Sequence, residues 1–216
     1  MEHTTLHRYE IWASRLLPAF YLVGLIGHAL PATYPFMIIL TPYTLLATAI
    51  VGFFPYALDK EYKLLLWAVI TFLITLFLEI LGVKTGLVFG SYAYGETLGL
   101  QFMGVPVLIG INWTLVILGT LTIVERFTKS VPAVMILTAL ITVVFDYIME
   151  PVAIALDYWA WEGGPIPLQN YVAWGVISFF FAGLFKLMGL TNRRPLPLVI
   201  LATQAVFFFA LRFIVV

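Results

Sequence analysis

Asp146 and Glu150 stand four residues apart in Val143-Val144-Phe145-Asp146-Tyr147-Ile148-Met149-Glu150-Pro151-Val152-Ala153, an otherwise apolar run. On a helix this spacing places both carboxyls on one face. Asp157, seven residues further, continues that face. An ionisable group inside hydrocarbon costs on the order of 3 kcal/mol or more, and such groups turn toward a protein interior or a wet cavity. The run therefore marks a buried acidic site. The plainer alternative is that both acids serve interhelical hydrogen bonding, or lie at the headgroup boundary.

The composition says where such a site would be. Of the 216 residues, 62% are hydrophobic and 10% charged, against about 25% charged in a soluble domain. An all-α, polytopic membrane bundle is predicted, forming one transmembrane domain over 1–216 and multi-pass in the cell membrane. Zero net charge and the lack of a basic run argue against a nucleic-acid partner. No cysteine is present, which excludes a thiolate nucleophile, a disulfide framework and Cys-ligated metals. Only His28 of the three histidines falls in a span and no HExxH occurs; no metal site is predicted, although a carboxylate-only one stays open. With no strands predicted, no Gly-rich phosphate loop is expected, nor a nucleotide. The last span has no lysine for a retinal Schiff base. No cofactor is expected. Polar residues 1–10 and the lack of a small-residue cleavage pattern predict no removable signal peptide.

Seven stretches approach the roughly 20 apolar residues that a span needs: Leu16–Leu30, Phe36–Phe54, Leu64–Val83, Gly104–Val124, Pro132–Ala155, Tyr171–Leu190 and Leu196–Val216. Nine of the 11 Lys and Arg residues then fall with the N-terminus and loops 2–3, 4–5 and 6–7; Lys84 and Arg212 fall on the other side. The positive-inside rule places the N-terminus in the cytoplasm and the C-terminus outside. Two Gly- and aromatic-rich outer loops follow, Lys84–Met103 and Leu156–Asn170. Their composition suits folding back into the interfacial zone as a lid.

At 1.5 Å per residue from the cytoplasmic ends, Asp146 lies roughly 21 Å up, Glu150 roughly 27 Å, Glu79 roughly 22 Å, Arg212 roughly 24 Å and His28 roughly 18 Å; Asn112 lies about 12 Å below the outer surface. All six share the outer half of the bilayer. Arg212 is expected to pair with one acid, leaving another neutral and able to give up a proton. His28 more simply bonds a backbone carbonyl, and Asn112 and Gln204 suit interhelical bonding equally well. Aromatic residues gather on the same side: Trp113, Trp159, Trp161 and Trp174 beside Tyr92, Tyr94, Tyr147, Tyr158 and Tyr171. Aromatic faces stabilise cations. A buried acid among them could protonate an alkene.

Glu79-x-x-Gly82-Val83-Lys84-Thr85-Gly86, Phe89-Gly90-x-Tyr92-x-Tyr94, Leu98-Gly99, Gly104-Val105-Pro106 and Asn112-Trp113 occur in this order. Asp146-x-x-x-Glu150-Pro151-Val152-Ala153, Trp159-x-Trp161 and Pro167-Leu168-Gln169-Asn170-Tyr171-x-x-Trp174 follow. Over roughly residues 79–175 the chain resembles the carotenoid 1,2-hydratases of the CruF type. Glu150-Pro151 stands where family members often have Asp-Pro, and Gly163-Gly164-Pro165 is a shorter run than theirs. The resemblance implies cofactor-independent addition of water to the terminal 1,2 double bond of an acyclic carotenoid end, of the lycopene, γ-carotene or bacterioruberin-precursor type. The partners it implies are the lipophilic carotenoid, the lipid bilayer and other enzymes of the carotenoid pathway. Asp146, Glu150 and Glu79 are the catalytic candidates, with Asp146 as proton donor and Glu79, helped by Asn112, positioning water. Asn112, Trp113, Tyr147, Trp174, Asn170, Arg212, His28 and Lys84 are the substrate-binding candidates. A membrane lycopene cyclase would start with the same protonation and close a ring instead, and a non-enzymatic carotenoid-binding or transport protein would use the acids for structure or gating.

Overall fold

The structure, a computed structural model, describes residues 2–216. Seven helices carry the chain: α1 (Glu2–Ala29), α2 (Tyr34–Leu58), α3 (Tyr62–Thr85), α4 (Val107–Phe127), α5 (Val131–Ala155), α6 (Leu168–Leu187) and α7 (Leu196–Val215). All seven are long and apolar enough to cross a bilayer. Only one departs far from its predicted bounds. Helix α1 begins well before Leu16, because its polar first half has partners: the Tyr9 hydroxyl donates to the Val51 carbonyl at 3.0 Å and Glu10 receives Arg194 at 3.2 Å.

Helix α4 is the hub. Its Val116, Ile117, Leu118 and Leu121 are fully buried, and it packs against α3, α5 and α7 while α1 and α2 close the side. At the end that holds the short connections, ion pairs tie the helices together. Lys186 meets Glu125 at 2.5 Å, and Arg194 gathers Glu10, Glu61 and Asp59. At the other end the two long loops meet.

Those loops contain strands, contrary to the sequence expectation of none: β1 (Tyr92–Tyr94), β2 (Gln101–Phe102), β3 (Val105–Pro106) and β4 (Trp159–Trp161). Strands of two or three residues carry too short an alternation to register as a pattern. β1 pairs antiparallel with β4, Tyr92 opposite Trp161, Ala93 opposite Ala160 and Tyr94 opposite Trp159; β2 pairs with β3. Side chains alternate across a strand, so Tyr92, Tyr94, Trp159 and Trp161 share one face of the ribbon and the two exposed alanines the other. Gly95 makes the close approach that seats β1 on β4. A Cβ there would stand 2.2 Å from the Asp157 carbonyl oxygen. Asp157 itself lies past the end of α5 with φ of 56° and is exposed. The helical face extrapolated from Asp146 and Glu150 stops before reaching it.

Candidate active site

Two buried carboxyls near the ribbon are each met by three neutral donors. Glu79, on α3, accepts at Oε2 from the hydroxyls of Tyr92 (2.5 Å) and Tyr94 (2.8 Å), and at Oε1 from the indole N–H of Trp113 (2.8 Å). Glu150, on α5, accepts at Oε2 from the indoles of Trp159 (3.1 Å) and Trp161 (2.9 Å), and at Oε1 from the Asn170 amide (3.1 Å). The inward face of the ribbon thus serves both acids, phenols from one strand and indoles from the other. Burial beside Glu79 pushes the hydroxyls of Tyr92 and Tyr94 above their ordinary range. They remain O–H donors.

Asp146 stands apart. Its Oδ2 accepts from Asn170 at 2.7 Å, while its fully buried Oδ1 has no partner among the described residues. Of the three acids, Glu79 and Glu150 line a common chamber and Asp146 does not. Asn170 lies between. Aromatic rings make up much of the rest of the wall, among Leu45, Leu98, Leu108, Ile109 and Met149: Trp113 stacks on Trp174 with centroids 3.7 Å apart, and Tyr92 lies 5.0 Å from Trp161. Such a wall presents π faces, which attract cations, beside two carboxyls.

Several predicted site residues come together here. Trp113, Trp174, Asn112 and Asn170 line the chamber with Glu79 and Glu150. Others do not. Tyr147 is 57% exposed on the outer side of α5 beside Tyr171, because the inward face of that helix runs through Thr142, Phe145, Asp146, Met149 and Glu150. Arg212 forms none of the ion pairs among the described residues. Helix α7 turns Leu201, Gln204, Phe208 and Leu211 inward, which leaves the next position at the helix edge, within electrostatic reach of Tyr171. The expected salt bridge to an acid is therefore replaced by indole, phenol and amide donors. His28 lies in a neighbouring cavity, its Nδ1 bonded to the Gly24 carbonyl at 2.7 Å. Lys84 is exposed in a polar cleft on the far side of the ribbon, where Tyr92 and Trp161 form the shared wall. The four ribbon donors went unassigned in the sequence, although Tyr-x-Tyr and Trp-x-Trp repeat at the strand period of two. Among the described residues no group of three or more His, Cys, Asp or Glu side chains could hold a metal ion.

A family described as carotenoid biosynthesis protein matches residues 39–216. The chain belongs to the carotenoid biosynthesis protein family. This carotenoid biosynthesis protein is also similar to the bisanhydrobacterioruberin hydratase of Haloarcula japonica, with 28% identity over 151 residues, covering 65% of this chain and 50% of the relative. It spans about half the length of that relative. No solved structure matches the carotenoid biosynthesis protein.

Proposed function

We propose that this protein adds water to the terminal 1,2 double bond of an acyclic carotenoid end group, without a cofactor. The observation that carries the reading is the pair of chamber-lining carboxyls, Glu79 and Glu150, each held by three neutral donors among aromatic rings. Glu150 gives a proton to the less substituted alkene carbon, and a tertiary cation forms at the other. Rings of Trp113, Trp174 and Trp161 face that charge in a site where water cannot screen it. A single water supplies its oxygen to the cation and its surplus proton passes to Glu79; return of that proton to Glu150 resets the site, so the cycle consumes one water and no net proton. Asn170 fixes Glu150 and Asp146 relative to one another. Asp146, set behind it, belongs to the proton reserve of the pair and does not touch the substrate.

The relative's name as a hydratase agrees with this chemistry. The test is expression in a bacterium that accumulates an acyclic carotene, followed by mass analysis of the pigments. A product heavier by one water per reacted end is expected. An isomer of unchanged mass would identify a cyclase, and unchanged pigment a binding or transport protein.

A further inference from the structure

A second cavity, of about 130 Å³, adjoins the acid chamber, and the two share Leu45, Tyr158 and Phe208 in their walls. It lies among α1, α2 and α7, and its rim includes Phe20, Val23 and Leu40, which are exposed on the outside of the bundle. The cavity is therefore placed to continue the chamber toward lipid. Its lining is largely apolar, with the hydroxyls of Tyr21, Thr41, Thr44 and Tyr158 and two further buried polar groups, His28 (7% exposed) and Gln204 (1%). His28 Nε2 and Gln204 Oε1 are buried with no hydrogen-bond partner among the described residues.

Hydrogen-bond directions fix the character of both atoms. Nδ1 of His28 faces a carbonyl, Gly24 at 2.7 Å, which can only accept. No carboxylate lines the cavity to hold an imidazolium, so the ring is neutral, Nδ1 carries its one hydrogen and Nε2 presents a lone pair. On the facing helix, the Thr48 hydroxyl donates to the Thr44 carbonyl at 2.8 Å, which leaves Tyr21 to donate to Thr48 at 3.0 Å. The Tyr21 oxygen then accepts from Gln204 Nε2 at 3.3 Å. That chain orients the Gln204 amide and leaves Oε1 as an acceptor. Two buried acceptors with no donor are costly, on the order of 1–3 kcal/mol each. A ligand that brings an O–H relieves that cost, and a carbonyl or a bare hydrocarbon does not.

We infer that this cavity is an alcohol subsite, taking a hydroxyl-bearing part of the same lipophilic polyene whose O–H donates to His28 Nε2 or to Gln204 Oε1. The inference rests on the function proposed above only for the identity of the polyene. The hydroxyl can be one the substrate already carries or the one the reaction makes.

The test measures binding, so it does not depend on turnover. Purified protein in detergent is titrated with a hydroxyl-free acyclic carotene and with the same carotene bearing a tertiary alcohol at one end, following quenching of tryptophan fluorescence. The wild type is expected to prefer the alcohol, and His28→Leu with Gln204→Met to lose about tenfold in affinity for it. Affinity for the hydroxyl-free carotene should hold, which also reports that the variant is folded; if the double variant does not purify, each single variant carries the same comparison. If the wild type shows no preference, or a folded variant keeps the preference or loses both ligands equally, the subsite does not exist and water serves the two acceptors. In turnover of the two carotenes by the variants, a KM raised for the alcohol alone indicates a hydroxyl that the substrate brings. Unchanged KM with weakened affinity for the reaction product indicates the hydroxyl that the reaction makes.

Discussion

Asn170 donates to Asp146 at 2.7 Å and to Glu150 at 3.1 Å, so one amide holds two acids that form no ion pair among the described residues. The depth argument favoured Asp146 as the proton donor; the structure sets it behind this amide and puts Glu150 on the chamber wall. Glu150→Gln is thus the variant expected to abolish protonation, with product lowered by about 10²-fold or more, in the range for general acid catalysis. Glu79→Gln should protonate the alkene and fail to complete hydration. In heavy water it should still exchange deuterium into the end group of unreacted substrate, whereas Glu150→Gln should not. Equal loss of exchange in both variants would show that the two roles are not separate. The acids themselves were legible in the sequence, because a carboxyl in an apolar run is conspicuous. Their donors were not, since an indole or phenol in a loop looks like any interfacial aromatic until a strand pairing aims it.

At the scale of elements, the β1–β4 ribbon decides where those four donors point. Its alternation leaves only Ala93 and Ala160 on the outer face, so a slip of one residue would turn ribbon donors away from the acids and leave Trp113 on Glu79 and Asn170 on Glu150. Gly95 holds the register where the backbone passes Asp157. Gly95→Ala should strain this contact by about 1–3 kcal/mol. Far-UV circular dichroism should stay helical while activity and the near-UV tryptophan signal fall together. A fully active Gly95→Ala protein would mean that the ribbon does not position the acids. The sequence foresaw that both loops fold back over one end of the bundle, from their Gly and aromatic content. It could not supply the pairing between them, because residues 92–94 and 159–161 meet only through the packing of α4 and α5.

For the whole molecule, all seven helices were legible as apolar runs of spanning length, with α1 read short because its ion-pair partners lie far along the chain. The partition of Lys and Arg, nine against two, leads to a cytoplasmic N-terminus and a C-terminus on the opposite side. A reporter joined after Val216 should accordingly be active outside the cytoplasm, and activity confined to the cytoplasm would reverse the orientation. The same partition puts the Arg194 and Lys186 ion pairs at the cytoplasmic end and the chamber at the outer one. What no run of residues disclosed was that Glu79 and Glu150 would be satisfied without Arg212, since its pairing depended on the rotation of α7.

The ribbon also bears on how the protein is made. Trp159 and Trp161 follow α5 in the chain, so Glu150 leaves the ribosome before either indole that later holds it. Glu79 precedes Tyr92, Tyr94 and Trp113 in the same way. The two acids gain their full set of donors only when two loops separated by two spans come together. Assembly of the chamber is therefore a late, long-range event, and the chain is most exposed to misfolding or quality control between the arrival of its carboxyls and the closing of the strands above them.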